Sequence, residues 1–304
     1  MFCSKRSLVE AAVERGYGTA PALASQFGNF RTCGLLDTFH HKEARQGGGG
    51  LWHPAQQELW LAYLKNRKLG VPQRTLANLP VGAWIFELPG VPTRNAQAAF
   101  SYWLKPALEK RSTADPRRRI AREIRTTVEG GAAPGSTSAT KRRMRRLLEP
   151  LNESPTSERV SRDTLHDAAI DLLSPDRARG LRSATHDERW FAKGFEGQVT
   201  FAVLGLQNAS LLGMSDPAVH AFWEWSRRVF HGTLKTYSEA LPELEASPTT
   251  GWLNNSEPSV QDIFANACSR LLPVLGGTME ALIAGRSIEP YGAPPPLPKR
   301  PKQA

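Results

Sequence analysis

Cysteine is scarce in this chain: three thiols, Cys3, Cys33 and Cys268, in 304 residues. Thiols so far apart make neither a disulfide framework nor a zinc-ligand spacing, which points to a reducing compartment. Long apolar runs are missing as well. The uninterrupted ones are only a few residues long, against the roughly 20 that a bilayer-spanning helix needs. The start, MFCSKRSLVEAAVERG, has basic residues but no continuous apolar stretch, so no secretory signal is read and a cytoplasmic location is expected. Enzyme signatures are poor. No Gly-x-Ser-x-Gly and no His-Glu-x-x-His occurs. The stretch from Gly130 to Thr137 has the spacing of a phosphate loop but neither its lysine nor a preceding strand. His166-Asp167 and His186-Asp187 read as surface neighbours whose side chains point different ways, and Trp190, Trp223, Trp225 and Trp252 read as core. No catalytic residue, metal ligand set or cofactor is therefore expected, and the chain is not read as an enzyme.

What the chain does have is positive charge, unevenly placed. The net charge is +10, but residues 1–104 carry eleven Lys/Arg against six Asp/Glu, and residues 105–146 carry thirteen against four. Residues 147–304 carry fifteen against nineteen. The positive field thus sits in the N-terminal half, which favours a nucleic-acid-binding front end over a uniformly basic solvated surface. With 40% hydrophobic residues and eight tryptophans, wholesale disorder is excluded, and the length allows about two domains. Abundant Ala, Arg, Gly and Pro suggest a GC-rich, bacterial gene.

Ser7 and Glu10 have the spacing of a capping box, followed by Leu8, Ala11 and Ala12 at helical intervals and a stop at Gly16. Thr19 is a candidate N-cap for a second helix, with Leu23, Phe27 and Phe30 along one face. Two short helices across a glycine turn make a helix-turn-helix candidate. Next comes HHKEARQGGGG, a basic cluster running into four glycines, Gly47 to Gly50, that cannot hold an element interior. Pro54 suits the first turn of a third helix, with Leu59, Trp60, Tyr63 and Leu64 as its apolar stripe. Periodicity leaves Val81 to Phe86 open between a strand and a buried helix.

This order of elements is that of a winged helix-turn-helix, and the sequence resembles the MerR family of DNA-binding regulators over about residues 7–80. The correspondence lies in Gly34-Leu35-Leu36 after the second helix, and in Gly50-Leu51-Trp52-His53-Pro54 followed by AQQELWLAYLKNRKLG. The family's Arg-Tyr-Tyr is replaced nearby by Phe30-Arg31-Thr32, the wing is longer and richer in glycine, and Lys105-Pro106 interrupts the pattern where a long dimerisation helix would run. The resemblance implies a sequence-specific DNA-binding protein, a transcriptional regulator, with double-stranded DNA and a second copy of the chain as partners. No membrane partner is expected, and any effector is unidentified. On the second helix, Thr19, Gln26, Asn29 and Arg31 are the candidate DNA contacts, because amide and guanidinium groups read adenine and guanine edges. In the wing, His40, His41, Lys42 and Arg45 would neutralise phosphates.

Two further basic runs, Arg117-Arg118-Arg119 and Lys141-Arg142-Arg143 with Arg145-Arg146, are candidate auxiliary contacts. The fold class expected is mainly α: a winged helix-turn-helix over residues 1–95, a basic helical and linker region over 96–146, a larger all-helical domain over 147–288, and a disordered proline-rich tail over 289–304. GGAAPGSTSAT, from 130 to 140, reads as a flexible linker. Two alternatives stand beside the regulator: a plasmid or mobile-element replication or partition protein, and a nucleic-acid enzyme with its site in 150–285.

Overall fold

The computed structural model describes residues 2–38, 41–42, 50–109, 128–129, 132–153, 161–246 and 257–298. The described chain is mainly helical, with one small antiparallel sheet of strand order β1-β3-β2. It runs β1 (Cys3–Ser4), α1 (Lys5–Glu14), α2 (Ala20–Thr32), β2 (His41–Lys42), β3 (Gly50–Trp52), α3 (Pro54–Lys68), a 3-10 turn (Thr75–Ala77), α4 (Asn78–Ile85) and α5 (Thr93–Glu109). After it come α6 (Ser138–Glu153), α7 (Arg162–Leu173), α8 (Pro175–Ala178), α9 (His186–Gln207), α10 (Ala209–Leu212), α11 (Pro217–Ala246) and α12 (Val260–Ile283). Among the described residues no helix is long and apolar enough to cross a membrane.

The first helix starts a turn earlier than the Ser7–Glu10 spacing implies. Its N-cap is Ser4, whose hydroxyl accepts from Ser7 N at 3.1 Å, and Glu10 pairs with Arg6 instead of reaching back. A serine three residues upstream competes for the same role, and the β1 pairing of Ser4 with Leu51 holds it in extended backbone, as an N-cap requires. In α2 the face of Leu23, Phe27 and Phe30 is buried. Phe27 meets Trp52 and Trp60 edge-on, and Phe30 meets Trp60 and Tyr63. Each such pair contributes about 0.5–1.5 kcal/mol beyond area burial, so together they lock α2 onto α3. His53 caps α3, its Nδ1 accepting from Ala55 N at 3.2 Å, with Pro54 in the first turn.

The ambiguous segment 81–86 is helix over 81–85. Pro80 to Ile85 are all buried, so α4 is apolar all round and leaves no period to read. It is held by the far end of the chain. Asn78 Oδ1 accepts from Cys268 N at 2.9 Å. Arg227 donates to Trp84 O at 3.1 Å and His231 Nε2 lies 2.8 Å from Ile85 O, placing basic side chains on the carbonyls that end α4.

One hydrophobic core accordingly runs from Leu8 to Leu104 and resumes from Ala209 to Met279. A second, smaller core joins Val128, Met144 and Leu148 to Leu165, Ile170, Leu172 and Ala192. The expected divisions at 95/96 and 146/147 both fall inside helices, α5 and α6. Ala132 to Ser136 is not free linker: Ala133 is buried and donates to Leu172 O at 3.1 Å, as Ser136 Oγ does at 2.6 Å. The tail is likewise packed through Pro298. Trp225 donates to Tyr291 O at 3.0 Å, Pro294 is buried, and Leu297 packs on the main core. Composition reads these stretches as loose, but docking onto distant helices satisfies their backbone.

Candidate nucleic-acid interface

At 3.6 residues per turn, the positions facing away from Leu23, Phe27 and Phe30 are Pro21, Ser25, Gly28, Asn29 and Thr32, with Ala22 at their edge, and all but the half-buried Gly28 are exposed. They form the crest of α2. The expected base readers do not share it. Asn29 stands on the crest, whereas Gln26 is half-buried on one flank and Arg31 is exposed on the other. Five residues at about 100° each place those two roughly 140° apart. Thr19 occupies the N-cap of α2, exposed, and makes no side-chain cap bond. Reading the apolar face alone finds α2, but the crest residues Pro21, Ser25 and Thr32 follow only when the opposite positions are written out.

Between α2 and the sheet, residues 34–37 have no regular structure, yet side chains satisfy their peptide groups. Tyr63 Oη donates to Leu35 O at 2.6 Å and Asn95 Nδ2 to Gly34 O at 2.6 Å. Gln56 Oε1 accepts from Asp37 N at 2.9 Å, while its Nε2 donates to Gly90 O at 2.8 Å and Asn95 Oδ1 at 3.2 Å. Trp52 donates its indole N–H to Asp37 O at 2.8 Å. The Asp37 carboxylate, 5% exposed, receives a two-pronged contact from Arg94, Nε to Oδ1 at 2.9 Å and Nη2 to Oδ2 at 2.6 Å. That bond holds the Arg94 guanidinium above its ordinary pKa, against the opposing effect of burial. Paired charge at both prongs fixes geometry as well as energy. The position of β3 relative to α2 is therefore set by α3 and α5.

In the sheet, His41 pairs with Leu51 and Lys42 with Gly50, while β1 pairs along the other edge of β3. The side chains of His41 and Lys42 lie outside the described residues, as do His40 and Arg45 and most of the glycine run. Arg117, Arg118 and Arg119 are outside them too.

At the C-terminal end of α2 the structure adds groups that spacing alone does not bring together. Cys33 Sγ donates to Asn29 Oδ1 at 3.5 Å and accepts from Gln73 Nε2 at 3.6 Å. Tyr102 lies against the same thiol. Burial raises its phenol pKa and Cys33 adds to the rise, while Arg67 and Arg74 pull it down. Arg74 is turned inward over the Trp103 ring, 5.5 Å from its centroid. Arg67 is exposed, with one nitrogen 3.3 Å from Val71 O. It is thus a cation close enough to act on Tyr102, which the sequence presents only as the basic end of α3.

The basic run in α6 divides by partner. Lys141 and Arg145 both pair with Glu129, the former at 2.9 Å, and Arg143 pairs with Asp171 at 2.6 Å. Arg142 and Arg146 are exposed, one helical turn apart, with no ion pair among the described residues. Arg142 and Arg146 are therefore the exposed cations of this run without an ion pair among the described residues, whereas the other three, of which Arg143 is also exposed, stitch α6 to its neighbours.

Elsewhere, no group of three or more His, Cys, Asp or Glu among the described residues is arranged to hold a metal ion. Cys268 is buried, and burial pushes its thiol pKa up. Trp223 and Trp225 are core, but Trp190 is 46% exposed. His186 and Asp187 do meet, Nδ1 to Oδ1 at 3.5 Å, because both lie in the first turn of α9. No protein-family model, no curated protein and no solved structure matches this chain.

Proposed function

We propose that the chain is a cytoplasmic, sequence-specific DNA-binding protein, a transcriptional regulator whose α1–α2 pair is a helix-turn-helix and whose β2–β3 hairpin is its wing. One observation carries the reading: α2 offers an exposed crest, while its buried face packs through Phe27 on Trp52 of β3, which the Asp37 network ties down. The Lys/Arg excess of residues 1–146 supplies the field that draws a phosphate backbone to that face. Lys42, Arg45 and Arg67 then position the duplex, and crest residues specify sequence. A second copy of the chain, as the resemblance implies, would set two α2 helices one DNA turn, about 34–36 Å, apart.

Gly28 provides the test. It lies on the crest, half-buried, and a Cβ there would meet nothing within 4 Å. Gly28→Ala should therefore stabilise the fold by up to about 1 kcal/mol, the helix-propensity gain of alanine. If α2 enters a groove, the same methyl holds the helix off the bases and weakens binding several-fold, measured by anisotropy of labelled duplex. A variant that is more stable and binds equally well would contradict the reading, as would a wild-type chain that binds no duplex at low salt.

The auxiliary cations give a second expected result. Arg142→Gln with Arg146→Gln should lower the slope of log K against log salt by up to about 0.9 for each phosphate that is no longer neutralised. The triple change at Lys141, Arg143 and Arg145 should act mainly on thermal stability, since those cations are internally paired.

A further inference from the structure

We propose that α2 selects A·T base pairs, with Asn29 as the specificity-determining residue and Cys33 as the residue that positions it. The inference rests on the DNA-binding reading above and goes beyond it by naming the base class. Asn29 is the crest's one amide, and the crest carries neither lysine nor arginine: Pro21, Ser25, Gly28, Asn29 and Thr32 are its members, with Ala22 at its edge. Arg31, two positions on, points about 160° away. An amide matches adenine, which offers an acceptor at N7 and a donor at N6, whereas guanine offers two acceptors and would set its O6 against the amide oxygen. The Thr32 hydroxyl is committed to Gly28 O at 3.0 Å, so the group it presents is a methyl, as Ala22 also does. Methyl groups are the side-chain features that meet the thymine methyl.

The orientation of the amide is fixed from within the protein. Cys33 Sγ–H donates to Asn29 Oδ1, and Gln73 Nε2 donates to the same sulfur, so the chain of contacts runs from the α3–α4 connection out to the crest. An amide oxygen has two lone pairs. The bond from Cys33 takes one and leaves the other for adenine N6, with the Asn29 NH2 free for N7. No base contact is assigned to Cys33 itself, which is half-buried.

The experiment is selection of bound sequences from a randomised duplex library by the full chain and four variants, each first checked for an unchanged melting temperature. The position read by Asn29 is the one whose preference falls in Asn29→Ala, and in the wild type it should be A·T. That fall should be roughly 5- to 150-fold, the discrimination supplied by one two-pronged contact. Asn29→Arg should turn the same position to G·C. Cys33→Ala should weaken the preference there alone, and Cys33→Ser, which keeps a donor for the amide oxygen, should retain it. G·C in the wild type at that position, or a preference untouched by Asn29→Ala, overturns the inference. Equal preferences in Cys33→Ala and the wild type overturn the positioning role. Binding without sequence enrichment overturns the A·T inference and leaves DNA binding standing, whereas no binding at any salt overturns the proposed function as well.

Discussion

Gly276→Ala is expected to lower the melting temperature by roughly 4–8 °C or more, although it places a better helix former inside a helix. Two effects oppose each other. Alanine gains about 1 kcal/mol of helix propensity over glycine. Against this, a Cβ at Gly276 would lie 1.7 Å from Phe201 O, 2.6 Å from Phe201 C and 2.9 Å from Gly205 N. All three are backbone atoms of α9, so no side chain can swing aside, and the helices must part by on the order of 1–2 Å to regain van der Waals contact. Overpacking of this kind costs typically about 1–3 kcal/mol and occasionally more. A clash with backbone belongs at or above the top of that range, so the loss exceeds the gain by about 2 kcal/mol. Gly194 supplies the control: it is in α9 too, but a Cβ there would meet nothing within 4 Å. Gly194→Ala should leave the melting temperature unchanged or raise it. Thermal melts followed by circular dichroism separate the two, and equal behaviour would mean that α9 and α12 do not cross this closely.

Gly34→Ala is the second large effect, and it reaches the candidate interface. Gly34 has φ of +72°, and a Cβ there would stand 2.4 Å from Ala98 Cβ and 2.6 Å from Ala98 C in α5. Left-handed backbone costs a non-glycine residue roughly 1–2 kcal/mol, and the clash with Ala98 adds an overpacking cost of about 1–3 kcal/mol. The expected sum, about 2–5 kcal/mol, is large against the total stability of a protein. The displacement falls on the segment that Tyr63, Asn95, Gln56 and Arg94 hold, so β3, tied to Asp37 through Trp52, should shift against α2. Binding to duplex should then fall even well below the melting temperature. Adding Ala98→Gly removes the Cβ–Cβ part of the clash but neither the 2.6 Å approach to Ala98 C nor the backbone strain, so the double variant should recover a small part of the stability. A double-mutant cycle with zero coupling would mean that a Cβ at position 34 does not meet the Ala98 Cβ.

How far the sequence is legible depends on whether the deciding interactions are local. Leu23, Phe27 and Phe30 mark the buried face of α2 by spacing, and Pro54 marks the start of α3, because those signals lie within one element. Local signals misplace the N-cap of α1 by three residues, since Ser4 and Ser7 are equal as acceptors and only pairing with Leu51 holds Ser4 extended. Gln26, Asn29 and Arg31 qualify as readers by residue type, but the turn of the helix separates them. The five-charge run in α6 reads as one arm, yet Glu129 and Asp171, more than ten residues away, divide it. Ala133 and Tyr291 sit in stretches whose composition suggests mobility and whose partners, Leu172 and Trp225, are distant in sequence. The single core shared by residues 8–104 and 209–279 is hidden for the same reason: α4 is apolar on every side, and nothing near it in the chain says that α12 covers it.

The central claim is that the exposed crest of α2 faces DNA, and site-specific photo-crosslinking tests it most directly. A benzophenone side chain is placed at Ser25, on the crest, or at Lys235, exposed on α11, in the full chain mixed with labelled duplex. Ser25 should give a protein–DNA adduct that excess unlabelled duplex removes and that fades from about 50 to 200 mM salt, while Lys235 should give little. An adduct from Lys235 and none from Ser25, with duplex still bound, would contradict the account.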